Sequence, residues 1–263
     1  MQEMPVSHEL KTIFIHIPKN AGESIERTLG MYGGNPAQTF WGVIEERYVL
    51  QHFLANEMRM HPLLTSVWDQ YFKFAVIRNP WSKAVSEYNW YLRYGPMIPF
   101  YEWVNSLENR LKINNCIHTW EIGHNVEQHK FVYDEHGRLI VDKLLRFENI
   151  RNEFSELCTE KQWNLKLIKA STTASNNNVP FYEYYDEASA LKISRIYAED
   201  INRFGYDMNA TFSQTNLRNE PVQLDTFFEK DLYLNANPDV REAGVDAYWH
   251  YLNHGIREQR RLR

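Results

Sequence analysis

The sequence predicts a three-layer α/β/α fold with a central parallel sheet, followed by a small helical module. One observation predicts the sheet. A short apolar strand, a sharp turn and a helical pattern follow one another twice before residue 95, and this alternation is typical of parallel sheets covered by helices. A second observation separates the module: a polar stretch precedes the C-terminal residues, which have a residue pattern of their own. We predict a main domain at residues 1–210, a linker at 211–221 and the helical module at 222–263.

The first strand is predicted at residues 12–17, which are β-branched and almost continuously apolar, as in a strand buried on both faces. Pro18 ends the strand, and residues 19–24 form a turn rich in small side chains. A helical pattern then runs to about Leu29. This segment predicts a strand that passes through a tight turn into the N-terminus of a helix.

The second strand is predicted at residues 71–78 and is broken by Asn79 and Pro80. Proline is favoured in the first turn of a helix, because the N–H that it lacks would have no partner there. The helix that follows has an apolar face formed by Ala84, Val85, Tyr88, Tyr91 and Leu92. The order of strand, turn and helix thus occurs a second time.

The middle of the main domain is predicted to be mostly helical, with two shorter β segments. Residues 131–141 predict a β-hairpin that turns at residues 134–137. Residues 144–147 predict another buried strand, which leads into a helix up to about Cys158.

A long helix is predicted after Asp186, a residue type that caps helix N-termini. Gly205 is placed to end it, because glycine readily takes the left-handed conformation that follows many helices. Its buried face is formed by Ile193, Ile196, Tyr197, Ile201 and Phe204.

Composition and charge exclude several classes of protein. The 263 residues include 29 basic and 34 acidic side chains, and the formal net charge of −5 does not indicate a nucleic-acid-binding protein. No apolar run reaches the roughly 18 residues that a membrane-spanning helix needs, and secretion through a signal peptide is not expected. Cys116 and Cys158 are too few for a disulfide framework, so we expect a reducing compartment, the cytoplasm.

The turn after the first strand has the features of a phosphate-binding loop. Backbone N–H groups at a helix N-terminus carry a partial positive charge that suits an anion. Gly22 would let the backbone approach such an anion closely, while Lys19 adds a full charge and Ser24 a hydroxyl donor. Lys19 precedes Gly22 by three residues, unlike the lysine of the nucleoside-triphosphatase P-loop. An ordinary strand–helix turn with an exposed lysine remains the alternative.

The turn after the second strand offers a second anion site. Arg78 ends the strand, and Ser86 lies eight residues later in the following helix. The carboxyl ends of neighbouring parallel strands line one crevice, so these side chains are placed to meet a second phosphate beside the first. A guanidinium fork fits a phosphate dianion. The alternative is a surface arginine and a serine that faces its own helix.

Together the two segments resemble the motifs of the sulfotransferase superfamily, and most closely those of the carbohydrate 2-O-sulfotransferases, the HNK-1-type enzymes and their bacterial relatives. Residues 17–24 resemble the 5′-phosphosulfate loop, and residues 76–86 resemble the 3′-phosphate motif. The similarity spans roughly residues 10–208. Two positions depart from the family pattern: Glu23 stands where threonine is usual, and Lys83 where arginine is common.

The resemblance implies a P-loop-like sulfotransferase fold and the donor 3′-phosphoadenosine 5′-phosphosulfate, from which a sulfuryl group passes in line to an acceptor hydroxyl, most often of a saccharide. No metal is implied. Lys19 would neutralise the leaving oxygen, and Arg78 with Ser86 would hold the 3′-phosphate. The 5′ end would be held by the loop residues Lys19, Asn20, Ala21, Gly22, Glu23, Ser24 and Ile25.

The acceptor hydroxyl needs a general base, and His52 is the candidate, because an imidazole titrates near operating pH and the family has a histidine downstream of its first loop. A histidine hydrogen-bonded within the fold is the other interpretation. Glu57 is the alternative base, although a solvated position on a helix face is its expected role.

Other polar and aromatic residues are expected to be structural. Cys116, His118, His124 and His129 match no standard zinc-ligand spacing; some of them, with Gln128, are possible acceptor contacts. Residues 176–178 form either a plain polar loop or a cover over the nucleotide. We expect a packed side chain at His16, an ion pair of Arg146 with Glu148, and core packing for Trp81, Trp90 and Tyr91.

The C-terminal module resembles a short unit that accompanies bacterial glycan-building enzymes. The similarity rests on residues 237–240, His250, Tyr251, Gly255 and residues 258–260. It favours a saccharide acceptor, although an appendage that only extends the core is an equal alternative. Two other functions stay open for the chain: a magnesium-dependent phosphotransferase with a variant phosphate loop, and a catalytically silent glycan-binding protein.

Overall fold

The computed structural model describes residues 6–31, 43–44, 48–62, 64–93, 96–113, 124–169, 179–213 and 230–251, together with residues 217, 254 and 260. Within these residues the chain forms one central sheet and a separate two-stranded ribbon. The strands are β1 (Val6–Ser7), β2 (Thr12–Ile15), β3 (Val43–Ile44), β4 (Tyr48–Val49), β5 (Phe72–Ile77) and β6 (Lys143–Arg146).

The central sheet has the strand order β1-β2-β5-β6. Strand β5 lies in the middle and pairs in parallel with β2, where Phe14 faces Phe74, and with β6, where Val76 faces Leu145. Strand β1 adds an antiparallel edge to β2. The predicted parallel sheet is therefore confirmed, with one short antiparallel strand at its edge.

Twelve helices are formed within the described residues, and some of them cover the two faces of the sheet. The twelve helices are α1 (Gly22–Thr28), α2 (Ala55–Met60), α3 (Pro80–Tyr91), α4 (Phe100–Ile113), α5 (His129–Val132), α6 (Ile150–Glu160), α7 (Glu187–Ile196), α8 (Ala198–Phe204), α9 (Met208–Thr211), α10 (Lys230–Ala236), α11 (Pro238–Glu242) and α12 (Ala247–His250). Single 3₁₀ turns lie at Leu50–His52, Phe147–Asn149 and Phe181–Tyr184.

The two faces of the sheet bury different residues because side chains alternate along a strand. On one face Phe14, Phe74 and Val76 pack with apolar residues of α1 and α6. On the other face Ile13, Ile15, Ala75 and Ile77 pack with residues of α2, α5 and α8. This arrangement gives the predicted three layers, and it leaves the carboxyl ends of β2 and β5 free to position a site.

The helix ends follow the predicted signals. Pro80 occupies the first turn of α3, and the side chain of Asn79 accepts a hydrogen bond of 3.1 Å from the Ser82 N–H. Asp186 caps α7 by accepting from the Ser189 N–H at 2.6 Å. Gly205 ends α8 with φ of 66°. The long helix predicted here is interrupted at Tyr197 and forms two helices, α7 and α8.

The predicted hairpin at residues 131–141 is wrong in its first arm. Phe131 and Val132 belong to the helical turn α5, and only an isolated antiparallel bridge joins Tyr133 to Leu139. Both Phe131 and Val132 are buried in one cluster, whereas a strand would send neighbouring side chains to opposite faces. The turn itself is present, with Gly137 at φ of 73°.

The C-terminal segment forms three short helices, α10 to α12. Its buried residues Tyr233, Val240, Ala247 and Tyr251 belong to the same hydrophobic cluster as the core of α3 and α4. The segment therefore continues the core of the main domain rather than packing only on itself. Most of the predicted linker at residues 211–221, the polar loop at 170–178 and Gly255 lie outside the described residues.

Candidate active site

A cavity of about 1010 Å³ opens at the carboxyl ends of β2 and β5. This volume is at the upper end of the range of about 300–1,000 Å³ that is usual for small-molecule sites. The predicted site residues that line it are Lys19, Ala21, Gly22, Glu23, Ser24, His52, Arg78 and Ser86. Ser82, one helical turn before Ser86 on α3, lines it as well and was not predicted.

The turn between β2 and α1 has a strained backbone. Lys19 and Ala21 have φ of 68° and 62°, a left-handed conformation that costs a residue with a side chain about 1–2 kcal/mol. Strain of this kind is found most often where a loop must hold a functional geometry. The surrounding fold must supply the free energy that maintains this turn.

The amides at the start of α1 differ in whether they make a hydrogen bond within the helix. The first intrahelical hydrogen bond runs from the Ile25 N–H to the Ala21 carbonyl at 3.1 Å. The amides of Gly22, Glu23 and Ser24 precede that bond and are not needed by the helix. Ile25 was predicted to contact the donor, but its N–H is engaged in α1 and its side chain is buried in the core. The predicted contact of Ile25 is therefore wrong.

Asn20 anchors the turn instead of facing the cavity. Its side chain is buried, and Nδ2 donates hydrogen bonds of 2.7 Å both to the Val76 carbonyl and to Gln128 Oε1. Gln128 Oε1 also accepts from the Arg78 N–H at 2.9 Å. The side chain of Asn20 therefore joins the first turn to the end of β5, and Asn20, which was included among the donor-binding loop residues, is not part of the cavity lining.

Gly22 is required for a reason that the sequence did not reveal. A Cβ atom at this position would lie 1.9 Å from Nε2 of His16, far inside the contact distance of any two atoms. His16 cannot easily turn away, because its Nδ1 lies 2.7 Å from Oε1 of the buried Glu26. The absent side chain therefore makes room for a histidine of the cavity wall.

Arg78 connects the two turns. Its Nη1 donates a hydrogen bond of 2.9 Å to the Lys19 carbonyl, and its Nε donates to Ser82 Oγ at 3.0 Å. The guanidinium lies over the ring of Phe147, 4.0 Å from the ring centre. Burial lowers the pKa of Arg78 to about 10, against the opposing effects of Glu148 and Tyr206. Arg78 remains a cation at neutral pH.

Lys19 is the second cation of the cavity. Burial lowers its pKa to about 8; Glu87 opposes this shift, and Arg93, Arg78 and Lys83 add to it. Its Nζ lies 5.8 Å from the ring centre of Trp90. At neutral pH most Lys19 side chains are protonated, but an increase of one or two pH units removes the charge.

Three histidine rings form a row along one wall of the cavity. The ring centre of His52 lies 4.9 Å from that of His16 and 5.1 Å from that of His124. Burial lowers the pKa of His52 well below its usual range, and His16, His124, Lys83 and Lys19 lower it further. His52 is therefore a neutral imidazole at pH 7, able to accept a proton.

The outer two histidines are held by carboxylates. His16 Nδ1 contacts Glu26, and His124 Nδ1 lies 3.2 Å from Glu87 Oε2. His16 is buried as predicted, yet its ring also lines the cavity. His124 was among the residues offered as acceptor contacts, and it lines the cavity, whereas the role of Glu87 was not predicted. The available signal was the four-residue spacing of Lys83 and Glu87 on one helix face.

Glu57 does not line the cavity. Its Oε2 accepts a hydrogen bond of 2.9 Å from the Leu54 N–H and so caps α2. The predicted ion pair of Arg146 with Glu148 is also wrong. Arg146 donates to the Phe204 carbonyl at 2.6 Å, and Glu148 accepts from the Asn79 N–H at 2.6 Å.

The aromatic candidates separate into core and cavity. Trp81 is fully buried in the core as predicted, and Tyr91 packs at the edge of that core. Trp90 instead lines the cavity with its ring centre 4.5 Å from that of His124. Cys116, His118 and residues 176–178 lie outside the described residues. Among the residues that the structure does describe, no group of three or more His, Cys, Asp or Glu side chains is arranged to hold a metal ion.

These features define an α/β protein in which two cationic turns meet at one cavity at the carboxyl edge of a parallel sheet. The family model described as "Sulfotransferase family" matches residues 2–207, which is most of the chain. The protein therefore belongs to the sulfotransferase family, and its chemistry is the transfer of sulfuryl groups. The comparisons with curated proteins and with solved structures give no match. None of the described helices has the length and apolar character needed to cross a membrane.

Proposed function

We propose that this chain transfers the sulfuryl group of 3′-phosphoadenosine 5′-phosphosulfate to a hydroxyl of a saccharide. One observation carries the proposal: the Arg78 guanidinium donates to the Lys19 carbonyl, so the two cationic turns stand side by side on one cavity. A ligand with two separate phosphate groups satisfies both turns at once. A ligand with a single phosphate leaves one of the two cationic turns without an anionic group to bind.

The 5′ end of the donor fits the turn before α1. Gly22, Glu23 and Ser24 line the cavity there, and their amides precede the first intrahelical hydrogen bond of α1. Lys19 supplies the full charge. Glu23 does not oppose this fit strongly, because its Oε1 accepts hydrogen bonds of 3.1 and 2.9 Å from Nε and Nη2 of Arg27. The arginine compensates the carboxylate that stands where the family usually has threonine.

The 3′-phosphate fits the turn after β5. Nε and Nη1 of Arg78 are used to position the guanidinium, and we assign its remaining Nη2 edge to the phosphate. The hydroxyl of Ser86 adds a neutral donor from α3. Charge-assisted hydrogen bonds of this kind are worth roughly 1.5–3 kcal/mol each.

In the transfer step, the bond between sulfur and the bridging oxygen of the phosphosulfate breaks while the acceptor oxygen bonds to sulfur. The electron pair of the broken bond stays on the bridging oxygen, where Lys19 stabilises the growing charge. His52 takes the proton of the acceptor hydroxyl. The negative charge of the bound donor offsets the neighbouring cations that depress the pKa of His52, so the base is strengthened when the donor is present.

The acceptor is assigned to the side of the cavity near Trp90. Trp90 and Phe181 supply aromatic faces, and Asn89 and Gln51 supply polar groups. A sugar ring has one apolar face and several hydroxyl groups, and the aromatic and polar side chains at this side of the cavity are suited to bind both. We therefore favour a saccharide of the type used by the carbohydrate branch of the family.

The proposal is tested first by the binding of 3′-phosphoadenosine 5′-phosphate in a calorimeter. Wild-type protein should bind it, and Arg78→Ala should bind at least about tenfold more weakly, because a charged hydrogen bond is lost. Arg195→Ala, which removes an exposed arginine on α7, should bind like wild type. Equal affinities of wild type and Arg78→Ala would refute the assignment of the 3′-phosphate.

Transfer is tested with ³⁵S-labelled donor against a panel of saccharides and small alcohols, with and without EDTA. Labelled saccharide in both conditions supports the proposal. Transfer that stops with EDTA would instead indicate a metal-dependent phosphotransferase. Binding of saccharides without any transfer would indicate a silent glycan-binding protein.

A further inference from the structure

Two of the three histidines in the cavity wall are paired with buried carboxylates, and the two pairs differ in their surroundings. Glu26 contacts His16 and Gln51, since its Oε1 lies 2.7 Å from His16 Nδ1 and its Oε2 accepts from Gln51 Nε2 at 2.6 Å. Glu87 bonds to His124 and faces lysine cations. Only the second pair therefore couples the histidine row to the cations of the site.

Glu87 lies behind the cavity wall on α3 and is almost fully buried. Its carboxylate contacts His124 Nδ1, while Lys83, one helical turn earlier, donates from Nζ to the His124 carbonyl at 2.6 Å. The ring of His124 in turn packs against Trp90 and His52. Glu87 and Lys83 of α3 thus hold His124 at two points, its ring and its backbone carbonyl.

The same carboxylate acts on Lys19. Trp90 lies three residues after Glu87 on α3, its ring packs on His124, and Lys19 Nζ is 5.8 Å from that ring. Among the described residues, the charged groups that act most on the pKa of Lys19 are Arg78 at the end of β5, Lys83 and Glu87 on α3, and Arg93 beyond it. Glu87 is the single anion in this set.

We propose that Glu87 is a positioning residue of the transfer reaction: its buried carboxylate holds the ring of His124 against His52 and places a negative charge behind the cavity wall on which Lys19 and Trp90 meet. The side chain of Glu87 thereby acts on both groups proposed for the reaction, the base His52 and the leaving-group cation Lys19. The inference rests on the roles proposed above for Lys19 and His52.

The electrostatic balance supports this role. Burial alone would raise the pKa of Glu87, but the pKa is lowered, because His124, Lys19 and Lys83 favour the carboxylate. Lys83 faces Asp200 and Glu127 as well as Glu87, so it has other anions nearby. Lys19 has no other anion among the groups named above and depends on Glu87 most.

The test compares Glu87→Gln with Glu26→Gln, which makes the same chemical change in the other histidine pair. Both variants keep the shape of the side chain and an oxygen that accepts from the histidine. The measured quantity is the titration of the Lys19 amine, followed by acetic anhydride labelling at a series of pH values and mass spectrometry of the peptide. No donor or acceptor is needed for this measurement.

Glu87→Gln should shift the titration midpoint of Lys19 downward by about one pH unit or more, the effect expected for losing a nearby opposite charge. Glu26→Gln should leave the midpoint within about 0.3 units of wild type, because Glu26 is not among the groups that act on Lys19. A midpoint that is unchanged in Glu87→Gln, or shifted equally in both variants, would overturn the inference.

A second variant covers the case in which Glu87→Gln does not fold. Glu87→Asp keeps the negative charge but moves it back by the length of one methylene group. The titration midpoint of Lys19 should therefore fall by a smaller amount, about half a pH unit. Glu26→Asp, the control, should not change this midpoint. Identical midpoints for Glu87→Asp and wild type would overturn the inference as well.

The affinity for 3′-phosphoadenosine 5′-phosphate as a function of pH separates the inference from the proposed function. Failure of the wild-type protein to bind this nucleotide would refute the proposed donor, yet the labelling result would still decide the role of Glu87. If wild type binds, the affinity of Glu87→Gln should begin to fall at a lower pH. Superimposable pH profiles would contradict the inference.

Discussion

The two turns that line the cavity differ in backbone conformation. The turn after β2 is strained, whereas the turn after β5 is relaxed. In the first turn Lys19 and Ala21 have positive φ, and Gly22, Glu23 and Ser24 line the cavity at the N-terminus of α1. In the second turn Asn79 and Pro80 start α3 with ordinary geometry, and the polar contacts come from the side chains of Arg78, Ser82 and Ser86.

This difference predicts which amino-acid substitutions each turn tolerates. The first turn would bind its ligand through backbone groups, so binding depends on the backbone conformation. It should be sensitive to added atoms and to altered φ, and less sensitive to the identity of exposed side chains. A side-chain site depends on charge and reach, so the second turn should be sensitive to truncation of Arg78. Lys19 is the exception in the first turn, because its contribution is a charge.

The largest effect is expected for Lys19→Ala, which removes that charge. If Lys19 acts on the leaving oxygen, turnover should fall by about 100-fold to 1,000-fold, with a smaller loss of donor affinity. Steady-state kinetics and calorimetry measure the two quantities. Lys166→Ala, at an exposed lysine of the cavity rim, should change turnover less than about threefold. Equal losses of turnover and affinity in Lys19→Ala would mean that Lys19 only binds the ground state.

A large loss of stability is expected for Gly22→Ala. The new Cβ would overlap the His16 ring, and forcing such a group into a packed site costs about 1–3 kcal/mol. Denaturant unfolding measures the change. Gly30→Ala is a reference for backbone strain alone, because Gly30 has φ of 67° and open space around it, so it should cost about 1 kcal/mol. Gly22 has no positive φ, so a Gly22→Ala variant as stable as wild type would show that the His16 contact does not restrict the turn.

The two turns should also lose their charges at different pH values. The pKa of Lys19 is about 8 and that of Arg78 about 10. Both values are lowered, so in each case burial disfavours the cation, and the charge is present below the folded pKa and lost above it. The affinity for 3′-phosphoadenosine 5′-phosphate should thus fall by up to about tenfold per pH unit from about pH 8. Lys19→Met should remove this dependence between pH 8 and 9; an unchanged profile would assign it to another group.

The sequence predicted the parts of this site that depend on local signals. Apolar strands followed by Pro18 or Pro80 indicated where β2 and β5 end, and the parallel arrangement placed both turns on one edge of the sheet. Asp186 and Gly205 indicated helix ends because capping is a local interaction. Each of these predictions needed only residues within about one helical turn of each other.

The parts that depend on contacts between distant residues could not be predicted. Glu87 and His124 are 37 positions apart in the chain, and no periodicity relates them. Asn20 turns inward because Val76 and Gln128 offer it partners, which a motif does not show. The requirement for Gly22 depends on the direction of the His16 ring, which only the pairing with Glu26 determines.

The smallest effect, expected for Ala21→Gly, tests the strain of the first turn directly. Glycine takes positive φ without steric cost, so the change should stabilise the protein by about 0.5–1 kcal/mol and raise the Tm by about 2 °C. Donor affinity should fall by about twofold to fivefold, because a looser turn must be ordered on binding. Ala84→Gly, in the middle of α3 next to the relaxed turn, should have the opposite effect on stability and lower it by about 1 kcal/mol. A loss of stability in Ala21→Gly would show that the left-handed backbone of this turn is not strained and that its shape has another cause.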